Sequence, residues 1–493
     1  MDSVIFDSEK IGQIMGWRAY DPYKTEKAVL VLQDSDKSKA TNNNTGSTKR
    51  SILKLKSGKL IYYAKNICEL SFDEAELLKN CLEEYQKQHK NKLEISSFFE
   101  KNIEKQNITL DSEQLQYLKK IITIISKPGN ILEELLLDPE LEEIAVIGTG
   151  RIKPVYVYDQ IFGWLETNFF FENEKTIINV INALSAHSGK RITLQNPKLN
   201  SFLQDGSRLN SCIAPTSVSG PNITIRKFKQ NPLTPVDIIE SNTICAEQIA
   251  FLWMALQADC SLLICGNTGS GKTTLLNSLL NFIPKKERIV IVEETPEINP
   301  PQNHFIKLKT SEESEIKMQE IITNTLRMRP DRIIVGEIRD REEVSAFMDT
   351  LLAGQGKGSY ATFHAQSAKE ALFRLKNLGA METDLTSIDL ILVQRRITVN
   401  KRGNSIDTRK ATELCETKIE KNTIIANQIY SYNQKKNIFE NKKNSEKINE
   451  KICTSFGLTK KEFGEELIKR EKFLDSLRKK KQRDFFEAIN NYK

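Results

Sequence analysis

The chain has 493 residues, enough for about three domains that each bury a core, and its 39% hydrophobic and 28% charged content is that of a globular protein. No run reaches the roughly 18 apolar residues of a membrane span, the acidic N-terminus lacks an export signal's charged-then-apolar order, and eight scattered cysteines read as reduced cytosolic thiols rather than a disulfide frame or zinc site, which together predict a cytoplasmic protein. The formal charge of +7 sits in the tail, where residues 401–493 hold 23 Lys and Arg against 14 Asp and Glu.

In chain order, residues 34–51 are rich in Asn, Ser, Thr and Lys, too polar to bury apolar surface, and read as a mobile loop inside an N-terminal domain of residues 1–127. Ile52-Leu53-Lys54-Leu55 and Leu60-Ile61-Tyr62-Tyr63 predict a hairpin around Ser57-Gly58. Ser71 with Glu74 is a capping-box signature for an amphipathic helix to about Tyr85. A helical pattern from Ser112 to Ile125 stops at Lys127-Pro128-Gly129, which predicts a domain boundary. Residues 130–228 combine an acidic helix, Ile131 to Leu137, with β-rich runs at Glu143 to Ile147, Val155 to Tyr158 and Ile223 to Arg226, the pattern of a small α+β domain. Two prolines and an Asn-Pro step make residues 229–235 a linker.

From Pro235 to about Leu392, apolar strand candidates alternate with helical patterns, which predicts an α/β domain with a parallel sheet covered on both faces. Strands are expected at Ser261 to Cys265, Arg288 to Glu293, Arg332 to Val335 and Ser359 to Phe363, and ligands of such sheets bind at the strands' carboxyl ends. The first strand runs into Gly266-Asn267-Thr268-Gly269-Ser270-Gly271-Lys272-Thr273, a phosphate-binding loop opening a helix near Gly271 that continues through Thr274. Its glycines let backbone N–H groups wrap phosphates, Lys272 supplies a point charge to the β- and γ-phosphates, and the Thr273 hydroxyl suits Mg²⁺. A nucleoside triphosphate is the expected ligand.

The second strand ends in Glu293-Glu294-Thr295-Pro296-Glu297, two adjacent carboxylates of which one can orient and deprotonate an attacking water; the plain alternative is an acidic loop opening. The third ends in Gly336-Glu337, where Glu337 is placed to serve the Mg²⁺ through water and Gly336 allows close approach. Upstream, Leu326-Arg327-Met328-Arg329-Pro330-Asp331 reads as an extended, Pro-stopped segment whose arginines suit phosphoryl oxygens, although surface arginines are ordinarily just solvated. Gly354-Gln355-Gly356-Lys357-Gly358 leads through a strand to His364, a candidate γ-phosphate sensor or a satisfied structural histidine.

The phosphate loop, the Val292 to Glu297 acidic box, the segment Leu326 to Arg339 and Ala361-Thr362-Phe363-His364-Ala365, in that order, resemble the secretion ATPase superfamily: type II/type IV secretion and type IV pilus motors, most of all their archaeal pilus and archaellum branch. The resemblance extends upstream through Asn196-Pro197-Lys198-Leu199, Gln204 to Leu209, Thr224 to Phe228 and Gly163-Trp164-Leu165-Glu166. In the tail it takes in Arg409 to Glu413, similar to the strand after the motor core, and Arg470 to Phe486, similar to a closing helix. It implies a RecA-like P-loop domain at residues 236–415, preceded by a PAS-like α+β domain at 130–228 and a partner-specific N-terminal domain, and followed by a basic, mainly helical region at 416–493. It also implies ATP and Mg²⁺ as cofactors, Glu293 as base, Glu337 as an atypical Walker B carboxylate and His364 as the His-box residue, with Arg208, Arg226, Arg327 and Arg329 as arginine fingers or phosphate clamps.

By the same resemblance the chain works as a homo-hexamer, at the cytoplasmic face of the membrane, against a polytopic platform protein, moving pilin-like subunits. Glu294 stands where the family often has Asp, an additional histidine before His364 is missing, and no four-cysteine zinc module is present. Two other readings compete: a nucleic-acid translocase, suggested by basic clusters such as Lys442-Lys443 and Arg478-Lys479-Lys480-Lys481, and a non-catalytic nucleotide switch.

Overall fold

The computed structural model describes residues 15–22, 28–33, 51–64, 70–87, 94–159, 161–228, 232–310, 316–353, 357–401, 404–421, 423–442, 445–478 and 482–492. Residues 34–50 of the expected loop, 229–231 of the linker, Gly354-Gln355-Gly356 and the basic residues Lys443 and Lys479-Lys480-Lys481 lie outside them. The chain forms two compact units, Met1–Lys229 and Gln230–Lys493.

In the first unit, strands β1 (Trp17–Ala19), β2 (Val29–Gln33), β3 (Ser51–Lys54) and β4 (Leu60–Tyr62) precede helices α1 (Phe72–Lys87), α2 (Ile95–Lys105) and α3 (Ser112–Ile125). A single turn, α4 (Glu133–Leu136), leads to β5 (Leu141–Val146), β6 (Tyr156–Asp159), β7 (Gly163–Thr167), β8 (Phe169–Phe171), α5 (Glu174–Ser185), β9 (Lys198–Phe202), β10 (Arg208–Cys212) and β11 (Asn222–Arg226). Helices α1 and α3 begin where side chains satisfy their first N–H groups, Ser71 with Glu74 and Asp111 with Gln114. One nine-stranded sheet runs β2-β3-β4-β7-β6-β5-β11-β10-β9, because β4 pairs in parallel with β7.

That sheet crosses the boundary expected at Lys127-Pro128-Gly129, and residues from Trp17 to Ile225 share one core. Pro128-Gly129 ends a helix but not the packing, since Ile131, Leu132 and Leu135 fold straight back into that core. The acidic helix is likewise shorter than expected, a 3₁₀ turn at Asn130–Leu132 followed by α4.

The second unit begins inside the expected linker. Thr234 and Asp237 cap α6 (Pro235–Glu240), with proline in its first turn where no N–H is needed. Then follow α7 (Ala246–Gln257), β12 (Leu262–Cys265), α8 (Lys272–Leu279), β13 (Ile289–Glu293), β14 (Phe305–Lys309), α9 (Met318–Thr325), β15 (Arg332–Ile338), α10 (Arg341–Leu352), β16 (Ser359–Phe363), α11 (Ala368–Asn377) and α12 (Glu382–Leu385). The sheet order is β14-β13-β15-β16-β12 and continues into β17 (Leu390–Lys401), all parallel. Antiparallel strands β18 (Asn404–Glu420), β19 (Thr423–Asn433) and β20 (Ile438–Asn441) extend it.

Successive residues of each central strand feed two cores. Leu262, Ile264, Ile289, Ile291, Ile334, Tyr360, Leu390 and Leu392 pack on one face. Leu263, Cys265, Val292, Ile333, Val335, Ala361, Phe363, Ile391 and Val393 pack on the other. That double burial is why the strands read as continuous apolar runs. It also forces polar side chains to the strand ends, where the candidate site residues lie.

The region expected to be mainly helical from residue 416 begins instead as strand, and the sheet of the second unit runs on to Asn441. Three helices close the chain: α13 (Lys447–Phe456), α14 (Lys460–Ser476) and α15 (Gln482–Asn490). The single closing helix expected from Arg470 to Phe486 is thus two. They cover α7, which is buried on nearly every side, and Arg470, only 4% exposed, stacks 4.4 Å from the Trp253 ring while bonding Glu466 and Gln257. Among the described residues no helix is long and apolar enough to cross a membrane.

Candidate active site

The carboxyl end of β12 turns into the glycine-rich loop of residues 266–273, whose rim, Asn267-Thr268-Gly269, is exposed while Gly266, Ser270 and Lys272 are buried. Gly269 and Gly271 take φ of 72° and 90°, the left-handed backbone that glycine adopts without strain and that lets the loop curl into α8. The Lys272 Nζ donates to the carbonyls of Gly266 and Asn267 at 3.2 and 3.4 Å. Burial lowers its pKa, which the charge of Glu337 partly offsets. No carboxylate lies within ion-pair distance of it among the described residues, so the buried ammonium is held directly by backbone carbonyls, with the charge of Glu337 acting from farther off. Thr273, half-buried in the first turn of α8, and the exposed Thr274 follow it.

Two strands away, Glu337 closes β15. Its Oε1 lies 2.5 Å from His364 Nε2 at the end of β16, and its Oε2 accepts from Arg339 Nη2 at 2.6 Å. Burial alone would raise the Glu337 carboxyl; the hydrogen bond and charge of Arg339, with His364 and Lys272, hold it below its ordinary value instead. The register of β15 against β16 shifts between Val335 and Ile338, and the Thr362 hydroxyl donates to the Gly336 carbonyl at 2.6 Å within that irregularity. Such a bulge re-aims a side chain, here Glu337 toward His364.

Glu293, 3% exposed, ends β13 beside Gly336. One carboxyl oxygen accepts the N–H groups of Glu297 and Ile298 at 2.8 and 3.0 Å; the other is buried and has no hydrogen-bond partner among the described residues. Burial raises its pKa to about 7, the two backbone bonds opposing it. A Cβ on Gly336 would lie 2.8 Å from Glu293 Cγ, so the glycine makes room for Glu293 rather than serving the approach to Glu337 expected from the sequence. Glu294 points outward instead and pairs with Arg339, giving the two neighbouring acids different surroundings.

The structure thus gathers Lys272, Glu293, Glu337 and His364 at one edge of one sheet. It does not bring Arg327 and Arg329 there. Both are exposed in the turn before β15, at the sheet's amino edge, where Asp331 N–H bonds the Arg288 carbonyl. The segment is not extended: Arg329 has φ 50°. Seven residues of β15 separate the two edges, about 20 Å. Arg208 and Arg226 belong to the other unit, directly opposite one another on β10 and β11. Arg339 was missed as a site residue, although it ends the quoted motif; its role depends on a bulge that spacing does not reveal.

A family model described as "Type II/IV secretion system protein" matches residues 186–477, more than half of the chain. The chain belongs to this family. Among similar proteins, the uncharacterized protein MJ0900 of Methanocaldococcus jannaschii is 35% identical over 341 residues, 67% of this chain and 60% of its own. This chain therefore spans about three fifths of the length of that relative. The type IV secretion system protein VirB11 of Bartonella henselae is 28% identical over 321 residues, 54% of this chain and 87% of its own. The X-ray structure of the Yersinia pseudotuberculosis ATPase DotB superposes with a TM-score of 0.41 at 15% identity, over 78% of this chain and 94% of that one.

Proposed function

We propose that this family member hydrolyses ATP as one subunit of a homo-hexameric motor. The motor works against a polytopic membrane platform at the cytoplasmic face and powers assembly of a type IV pilus-like or archaellum-like filament. The observation that carries the reading is the convergence of Lys272, Glu293, Glu337 and His364 on one edge of the sheet, with a buried lysine that makes no direct ion pair among the described residues. Lys272 and the loop N–H groups hold the β- and γ-phosphates. The partnerless Glu293 oxygen takes a proton from a water whose oxygen attacks the γ-phosphorus. The bond to the bridging oxygen breaks, leaving ADP and phosphate.

Mg²⁺, when bound, neutralises charge on the β- and γ-phosphates. Thr273 would hold it directly. Both Glu337 oxygens are engaged, by His364 and Arg339, so Glu337 would reach it through water. His364 joins the γ-phosphate side of the loop to β15, and Arg208, Arg226, Arg327 and Arg329 serve as arginine fingers or phosphate clamps, which couples catalysis to closure. The motif order shared with the pilus and archaellum branch supports filament assembly.

The test is phosphate release by the full chain. Lys272→Ala is expected to lower it by two orders of magnitude or more, about the effect of losing a well-placed phosphoryl contact, and undiminished turnover would refute the proposal. The same assay with and without single-stranded DNA over a salt series addresses the nucleic-acid reading, for which stimulation that collapses with salt is required.

A further inference from the structure

The phosphate loop has a second flank. Strand β12 lies between β16, which carries His364, and β17. The register of β17 against β18 shifts between Val393 and Gln394, an irregularity that turns Gln394 under the loop. A Cβ on Gly266 would sit 2.1 Å from the Gln394 carbonyl oxygen and 2.5 Å from Ser270 Oγ, and one on Gly271 would sit 3.1 Å from Gln394 Nε2. Gln394 is 2% exposed and Ser270 fully buried, yet Gln394 Oε1 and Ser270 Oγ have no hydrogen-bond partner among the described residues. Two residues on, Arg396 stands directly opposite Arg409 of β18. Arg409 Nε donates to the Gly269 carbonyl at 3.2 Å, the Arg396 N–H reaches Asn267 Oδ1 at 3.4 Å, and a Cβ on Gly269 would lie 3.5 Å from Arg396 Nη1.

Like charges directly opposite across a strand pair repel, and an anion set between them reverses the sign of that interaction. The pair lies on the flank of the loop away from Glu337 and His364, hence away from the γ-phosphate chemistry. Accepting the loop as a nucleotide site, we propose that Arg396 and Arg409 form a second cationic wall of that site, binding the α- and β-phosphates, with Gln394 as the positioning residue that fixes the loop between the two walls. Arginine suits this place because its planar fork takes two phosphate oxygens at once.

The test is calorimetric titration of the full chain with Mg-ADP and with a non-hydrolysable Mg-ATP analogue. The double variant Arg396→Ala/Arg409→Ala is expected to weaken both ligands to the same extent, by about tenfold or more, and to flatten the salt dependence of binding. Arg409→Lys, which keeps the charge without the fork, is expected to retain more affinity than Arg409→Ala. Both side chains are exposed, so thermal melts should show folded variants. Affinities within twofold of wild type in the double variant, while Lys272→Ala loses binding, would overturn the second wall and leave the loop reading intact. Loss of the triphosphate analogue alone would place the pair at the γ-phosphate and overturn it too. Wild-type binding by Lys272→Ala would remove both readings together.

Discussion

In the proposed reaction Glu293 is the base, and its environment makes quantitative demands. Burial lifts its carboxyl from an ordinary 4.5 to about 7. Turnover that needs the carboxylate as base should therefore rise with pH and level off above about 7, and a rate independent of pH between 5.5 and 8 would argue against the base role. The same shift bears on stability. Between 4.5 and about 7 the folded chain holds a proton that the unfolded chain releases, so this group's contribution is full below 4.5 and lost as pH rises through 7, roughly 3 kcal/mol in all. Glu293→Gln should abolish that slope in denaturant titrations; an unchanged slope would assign it elsewhere. Gly336→Ala should lower turnover by about tenfold to a hundredfold by pushing Glu293 aside, and wild-type turnover would show that the contact yields freely. The places of Glu293, Glu337 and His364 were legible because each stands at the end of a buried strand, which expels its polar residues to its ends, and that of Lys272 because a glycine-rich loop precedes it. Arg339, Gln394, Arg396 and Arg409 were not, because bulges and cross-strand register place them.

At the scale of elements, the parallel core announced itself through uniform hydrophobicity, while β18 was expected only from the resemblance and only over Arg409 to Glu413. Its sequence, Asn404 to Glu420, is rich in charged and threonine residues, and only pairing with β17 and β19 makes it a strand. The chain after residue 416 accordingly looked like a basic tail, although Arg470 is a buried packing residue. It lies over the Trp253 and Phe456 rings and bonds Gln257, so it ties α14 to α7. Arg470→Ala should destabilise the folded chain by about 2 kcal/mol, read from the denaturant midpoint with Trp253 as an intrinsic probe. An unchanged midpoint would mean that the closing helices are held by their apolar contacts alone.

For the whole molecule, the proposal of arginine fingers turns on which edge of the sheet carries them. Arg327 and Arg329 stand at the amino edge of the sheet whose carboxyl edge carries Lys272 and Glu293. If they are fingers, they serve a neighbouring copy. Mixing Lys272→Ala chains with Arg327→Ala/Arg329→Ala chains should then restore part of the turnover that neither has alone; mixtures no more active than their components would remove these arginines from the site. The central claim, that Lys272, Glu293, Glu337 and His364 act on a single triphosphate, is tested most directly by the ATP bound and the phosphate released by Glu293→Gln in the full chain. The account predicts that the variant binds Mg-ATP about as tightly as wild type and turns it over at least about a hundredfold more slowly. Wild-type turnover by Glu293→Gln would contradict it.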